Sequence, residues 1–73
     1  MIIRSQDKKK IIPLNQPIYI ETVVDEWSIS TERYFLGTYS TEEKAIKVLD
    51  MIQSDYVCHK GLWYFQMPQD SEV

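Results

Sequence analysis

The chain has 73 residues, 44% hydrophobic and 26% charged, with a net charge of −3 and one cysteine, Cys58. A folded chain this short hides only about 60% of the surface its unfolded form exposes, so its core is small, and a lone thiol excludes an internal disulfide as a staple. The acidic balance argues against general nucleic-acid binding, and no run approaches the roughly 20 apolar residues that span a bilayer.

The opening stretch MIIRSQDKKK lacks the apolar run of about 7–15 residues that a signal peptide carries after its basic start. The expectation is a cytoplasmic protein, where an unpaired thiol is harmless. Ile2 and Ile3 begin a short strand, and Gln6, Asp7, Lys8 and Lys9 supply turn chemistry. Lys10, Ile11 and Ile12 resume an extended run that Pro13 and Pro17 confine to a sheet edge or a bend. The segment 18–24 is the better strand, rich in β-branched and aromatic residues. Ile18 and Ile20 fall on one of its faces, and Tyr19, Glu21 and Val23 on the other. Asp25 and Glu26 read as a turn. Segment 27–30 alternates apolar and polar residues as a half-buried strand does, 31–33 is short enough for a hairpin, and 34–39 returns.

A helix is expected over about residues 41–56. Ser40 and Glu43 have the spacing of a reciprocal capping box, and Glu42 and Glu43 suit the positive end of the helix dipole. Ala45, Val48, Leu49, Ile52 and Tyr56 form one stripe with Ile46 at its margin, while Glu43, Lys47, Asp50 and Ser54 lie opposite. Glu43 and Lys47 are spaced as an i,i+4 ion pair, and Met51 sits off the stripe. Gly61 supplies a turn, 62–65 a dense aromatic strand that Pro68 ends, and 69–73 a frayed acidic tail. The fold class is α+β. A small, mostly antiparallel meander sheet of four to six short strands carries one helix on one face, as a single domain over residues 1–68.

Little catalytic chemistry can be assembled from these residues. Cys58 and His59 invite a nucleophile–base pairing, but neighbours in an extended chain point to opposite faces. They are also the only soft metal ligands, and structural zinc takes four. The carboxylate pair Glu42–Glu43 is accounted for by capping, and Asp25–Glu26 by turn placement. Gly37 and Gly61 are isolated, so no phosphate-cradling glycine loop exists. The expectation is a non-enzyme with no cofactor, no metal site and no catalytic residue.

Apolar and aromatic residues exceed what one helix can cover. That imbalance predicts a self-associating interaction module, most simply a homodimer, or a module docked on another protein. Trp27, Met51, Trp63 and Phe65 are its candidate anchors. The alternative is an accessory nucleic-acid binder using Arg4, Lys8, Lys9 and Lys10, which hold half of the eight basic residues. So few phosphate contacts would bind weakly and with strong salt sensitivity.

Three blocks, MIIRSQDK, LGTYSTEEKAIKVLDMIQ and YFQMP, resemble a family of short uncharacterised proteins of Gram-positive bacteria and their mobile elements. The resemblance covers about half of the chain, and the central block is its most specific part. It implies a shared scaffold and carries over no activity and no functional residue. Relative to that family, the chain is shorter in the Trp27–Tyr34 hairpin and between the helix and the final strand.

Overall fold

A computed structural model describes residues 1–59 and 64–73. Its elements are β1 (Ile2–Arg4), β2 (Ile11–Pro13), β3 (Tyr19–Val23), β4 (Glu26–Ser30), β5 (Phe35–Tyr39), α1 (Glu42–His59) and β6 (Tyr64–Gln66), followed by a 3-10 turn at Asp70–Glu72. The α+β class and the mostly antiparallel pairing hold. The strands, however, divide into two three-stranded sheets, ordered β2–β1–β6 and β3–β4–β5. Only β6 runs parallel to its neighbour.

The β3–β4–β5 sheet is the expected meander. Val24 and Asp25 form a two-residue turn between β3 and β4, one position earlier than expected, with φ of 29° and 62°. Positive φ at both central residues is the hairpin geometry whose twist matches that of the strands, though a β-branched residue adopts it under strain. Between β4 and β5 the Thr31 hydroxyl accepts from the Tyr34 amide at 2.9 Å and closes the loop. A register shift between Ile29 and Ser30 leaves Leu36 as the extra residue of a bulge. Phe35 therefore stays outside with Ser30, while Leu36 joins Ile29 and Tyr39 in the core.

Helix α1 packs on β4 and β5. Ala45, Val48 and Ile52 are buried, and Leu49 packs against them, as the stripe requires. Its start differs from the expectation. Thr41, not Ser40, is the cap: its hydroxyl accepts from the Lys44 amide at 3.2 Å. Ser40 is engaged elsewhere, because Asp70 accepts from its amide at 2.8 Å and from its hydroxyl at 3.2 Å. A carboxylate 30 residues away thus takes the role expected of Glu43. Among the described residues the ion pairs are Lys10–Asp7 at 3.8 Å and Lys44–Asp70 at 3.4 Å, so the expected Glu43–Lys47 pair is not formed.

Asp70 also overturns the frayed tail. Residues 69–73 are tied down: the Gln69 side chain donates to the Gln6 carbonyl at 2.7 Å, Lys44 donates to the Asp70 carbonyl at 3.0 Å, and Val73 packs against the core. The Tyr39 hydroxyl donates to the Pro68 carbonyl at 2.8 Å. Burial, helped by the charges of Asp70 and Glu72, pushes its pKa well up and keeps that donor protonated.

The two sheets are joined through Gln6. Its amide donates to the Leu36 carbonyl at 2.7 Å; its side chain accepts from the Thr38 amide at 3.0 Å and donates to the Thr38 carbonyl at 2.9 Å. One residue of the β1–β2 loop thereby pairs with the edge of β5 like a short strand. Gly37 makes room for it. A Cβ there would lie 2.9 Å from the Gln6 Cβ. Replacing Gly37→Ala is expected to cost about 1–3 kcal/mol by overpacking, read as a lower urea midpoint with an unchanged slope.

The carboxyl of Asp70 is held below its usual value of 3.8, first by the Ser40 amide, then by the Ser40 hydroxyl and Lys44. Asp7 is lowered likewise, first by the Ser5 hydroxyl and then by the Lys9 amide. A depressed folded-state pKa gives stability that is complete above the unfolded value and lost as pH falls through the lower folded one. The thermal midpoint should fall on acidification below about pH 4, and Asp70→Asn should start lower at neutral pH and flatten that dependence.

Candidate functional site

The β1–β2 hairpin carries the expected basic loop, and much of its charge is committed to its own structure. Asp7 accepts from the Ser5 hydroxyl at 2.5 Å and from the Lys9 amide at 3.0 Å, while pairing with Lys10. The Arg4 side chain donates through Nε to the Lys8 carbonyl at 3.1 Å. Lys8 sits at the tip with φ 65°, and the side chains of Lys8 and Lys9 are exposed. The four basic residues are thus brought together at one end of the β2–β1–β6 sheet.

Register decides what that sheet shows to each side. Ile3 pairs with Ile12 and with Phe65, and this row is buried. The residues between them point the other way. Ile2 pairs with Pro13 and with Tyr64; Arg4 pairs with Ile11 and with Gln66. Ile11 is 62% exposed, Tyr64 57%, and Ile2 and Pro13 are exposed as well. The outer face is therefore apolar with Arg4 in its midst, and it runs on to Lys8 and Lys9. The corresponding face of β3–β4–β5 differs, because Glu21, Thr38 and the buried Ser28 and Ser30 occupy most of it, beside Tyr19 and Phe35.

Among the described residues, two depressions stand out. An open apolar groove of about 460 Å³ lies between the second half of α1 and the β2–β3 connection, with Leu14, Ile18, Leu49 and Tyr56 among its walls. A polar one of about 300 Å³ is lined by Asp25, Glu26, Thr38, Tyr39, Ser40 and Asp70. Its Asp70 is already engaged by Ser40 and Lys44. Among the described residues, no group of three or more His, Cys, Asp and Glu is placed to hold a metal ion.

The expected anchors fare unevenly. Phe65 is 5% exposed and belongs to the core, because its register with Ile3 turns it inward; as an interface anchor it is corrected. Trp27 shares the inner face with Ile29 and packs, half-buried, against the core. Met51 is exposed on the helix, while Trp63 lies outside the described residues, as do Gly61 and the start of the expected final strand. Cys58 stands exposed in the last turn of α1, not in an extended segment. The side chain of His59, the other member of the expected pair, lies outside what the structure describes. Asp25 lies in the β3–β4 turn, Glu26 opens β4, and Glu42 and Glu43 lie in the first helical turn.

Sequence reasoning missed Ile2, Ile11 and Tyr64 as surface residues. The alternation around Ile3 was a usable signal, since an Ile-Ile pair in a strand sends one side chain to each face. The described part of the molecule is a two-sheet α+β unit with no helix long and apolar enough to cross a membrane. Compared with known proteins, the chain matches no family model, no curated protein and no solved structure.

The inward place of Phe65 makes it a stability residue. Phe65→Ala should lower unfolding free energy by about 3–5 kcal/mol, whereas truncating exposed Met51 should stay within about 0.5 kcal/mol, both measured by urea denaturation.

Proposed function

We propose that this protein is a small non-catalytic interaction module that associates with copies of itself. The observation that carries this is the outer face of the β2–β1–β6 sheet, where Ile2, Ile11, Pro13 and Tyr64 meet solvent side by side. Single exposed apolar residues are ordinary on a protein surface, but a contiguous apolar set is the usual mark of a contact site.

The association is weak. The accessible surface of 4956 Å² is close to the roughly 4,700 Å² a folded monomer of 8.7 kDa exposes, so the chain closes its own core without a partner. A face of three three-residue strands falls well short of the roughly 800 Å² per partner of a stable complex. A contact of that size belongs with weak, transient complexes.

Sedimentation across a wide concentration range tests this. Wild-type protein should shift reversibly from monomer toward dimer, and Ile2→Ser with Ile11→Ser should stay monomeric while its stability changes by no more than about 1 kcal/mol. A wild-type chain that remains monomeric at every concentration would remove the proposal.

A further inference from the structure

The β3–β4 hairpin tip carries two local costs that its own fold does not explain. Val24 is β-branched yet held at φ 29°, and it is 88% exposed. Asn or Gly would adopt that turn without strain. Around it stand exposed Val23, Asp25 and Glu26, with exposed Glu21 on the same strand. The tip is apolar on its β3 side, at Val23 and Val24, and acidic on its β4 side, at Asp25 and Glu26.

The outer face of the β2–β1–β6 sheet has the converse character. Ile2, Ile11 and Tyr64 form an apolar floor, Arg4 lies within it, and Lys8 and Lys9 stand at its end. With strands about 4.8 Å apart and a rise of about 3.3 Å per residue, the floor measures roughly 10 by 15 Å with its side chains. The blunt end of a two-stranded hairpin is of similar size. Tip and face belong to different sheets, and the exposure of Val24 shows that the tip does not reach the face of its own chain.

We propose that the Val23–Glu26 hairpin tip of one copy docks on the outer face of the β2–β1–β6 sheet of a second copy, with Val23 and Val24 on the Ile2–Ile11–Tyr64 floor and Asp25 and Glu26 toward Lys8 and Lys9. This rests on the self-association proposed above and names its surfaces. The contact joins two different patches, so it closes when two copies dock reciprocally and otherwise propagates. Charge opposite charge steers the encounter and excludes the wrong register, and added salt weakens it.

Charge reversal tests the pairing by sedimentation, with circular dichroism confirming that each variant is folded. Lys8→Glu with Lys9→Glu, and separately Asp25→Asn with Glu26→Lys, should each weaken self-association by on the order of tenfold. An equimolar mixture of the two should recover association, because the reversed tip then meets the reversed face. Val24→Asn should raise the thermal midpoint by relieving the turn while weakening association several-fold, a pair of opposite changes that a purely structural role would not produce. Wild-type protein that associates while the variants match it would overturn these surfaces and leave self-association standing. A wild-type chain that stays monomeric would overturn both. A monomer that instead binds a short thymidine oligonucleotide through Lys8 and Lys9 would overturn both and assign the basic face to nucleic acid.

Discussion

Gln6 is the residue on which the arrangement of the molecule depends. Its backbone amide and carbonyl and both ends of its side-chain amide are all bonded, to Leu36, Gln69, Thr38 and Pro68. Neither three-stranded sheet is large, and the strands of β2–β1–β6 have only three residues each. Such sheets gain independent stability only by packing on something else. Gln6 supplies that contact with a terminal group that presents a donor and an acceptor together, as a peptide unit does. A carboxylate of similar length would leave the Thr38 carbonyl without its partner, and an aliphatic side chain would leave both Thr38 groups without theirs.

The same economy governs the end of β6 and the segment that follows it. Gln66 donates to the Ser5 and Met67 carbonyls, Gln69 reaches Gln6, and Asp70 collects Ser40 and Lys44. Three polar side chains from one short stretch thus satisfy groups in the β5–α1 connection, on α1 and in the β1–β2 loop. Among the described residues no buried side-chain nitrogen or oxygen lacks a partner. With an unpartnered buried polar group costing about 1–3 kcal/mol, that completeness matters where the core holds ten buried hydrophobic residues among those described.

A single thin sheet with one covering helix would leave a whole apolar face over, but this molecule has two sheets. Splitting the strands into two sheets lets both turn a row of apolar residues toward a common core, which absorbs Phe65, Ile12 and Ile3. Among the described residues, exposed apolar side chains remain on the back of β2–β1–β6, at the β3–β4 tip, on Phe35 and along the outer side and C-terminal end of α1. The contact proposed above uses the first two, whose charges are complementary. Trp27 contributes to the fold itself.

What could be read from the chain alone was local. The period-2 alternation of segments 18–24 and 27–30 and the 3.6-residue stripe of Ala45, Val48 and Ile52 are properties of single elements, and they yielded the α+β class, the meander and the helix. The basic loop was visible for the same reason, as four cations within seven residues. The face proposed for contact was only half visible: Arg4 and the lysines were apparent, while Ile2, Ile11 and Tyr64 became neighbours only through strand register. Tertiary structure alone decided that the strands form two sheets, that Phe65 turns inward, that Thr41 caps the helix, and that residues 69–73 are anchored. Those outcomes rest on bonds between residues 30 to 63 positions apart, Ser40 with Asp70 and Gln6 with Thr38, Pro68 and Gln69. No local pattern encodes them, because a side-chain amide or carboxylate looks the same in sequence whether it faces water or closes a distant strand edge.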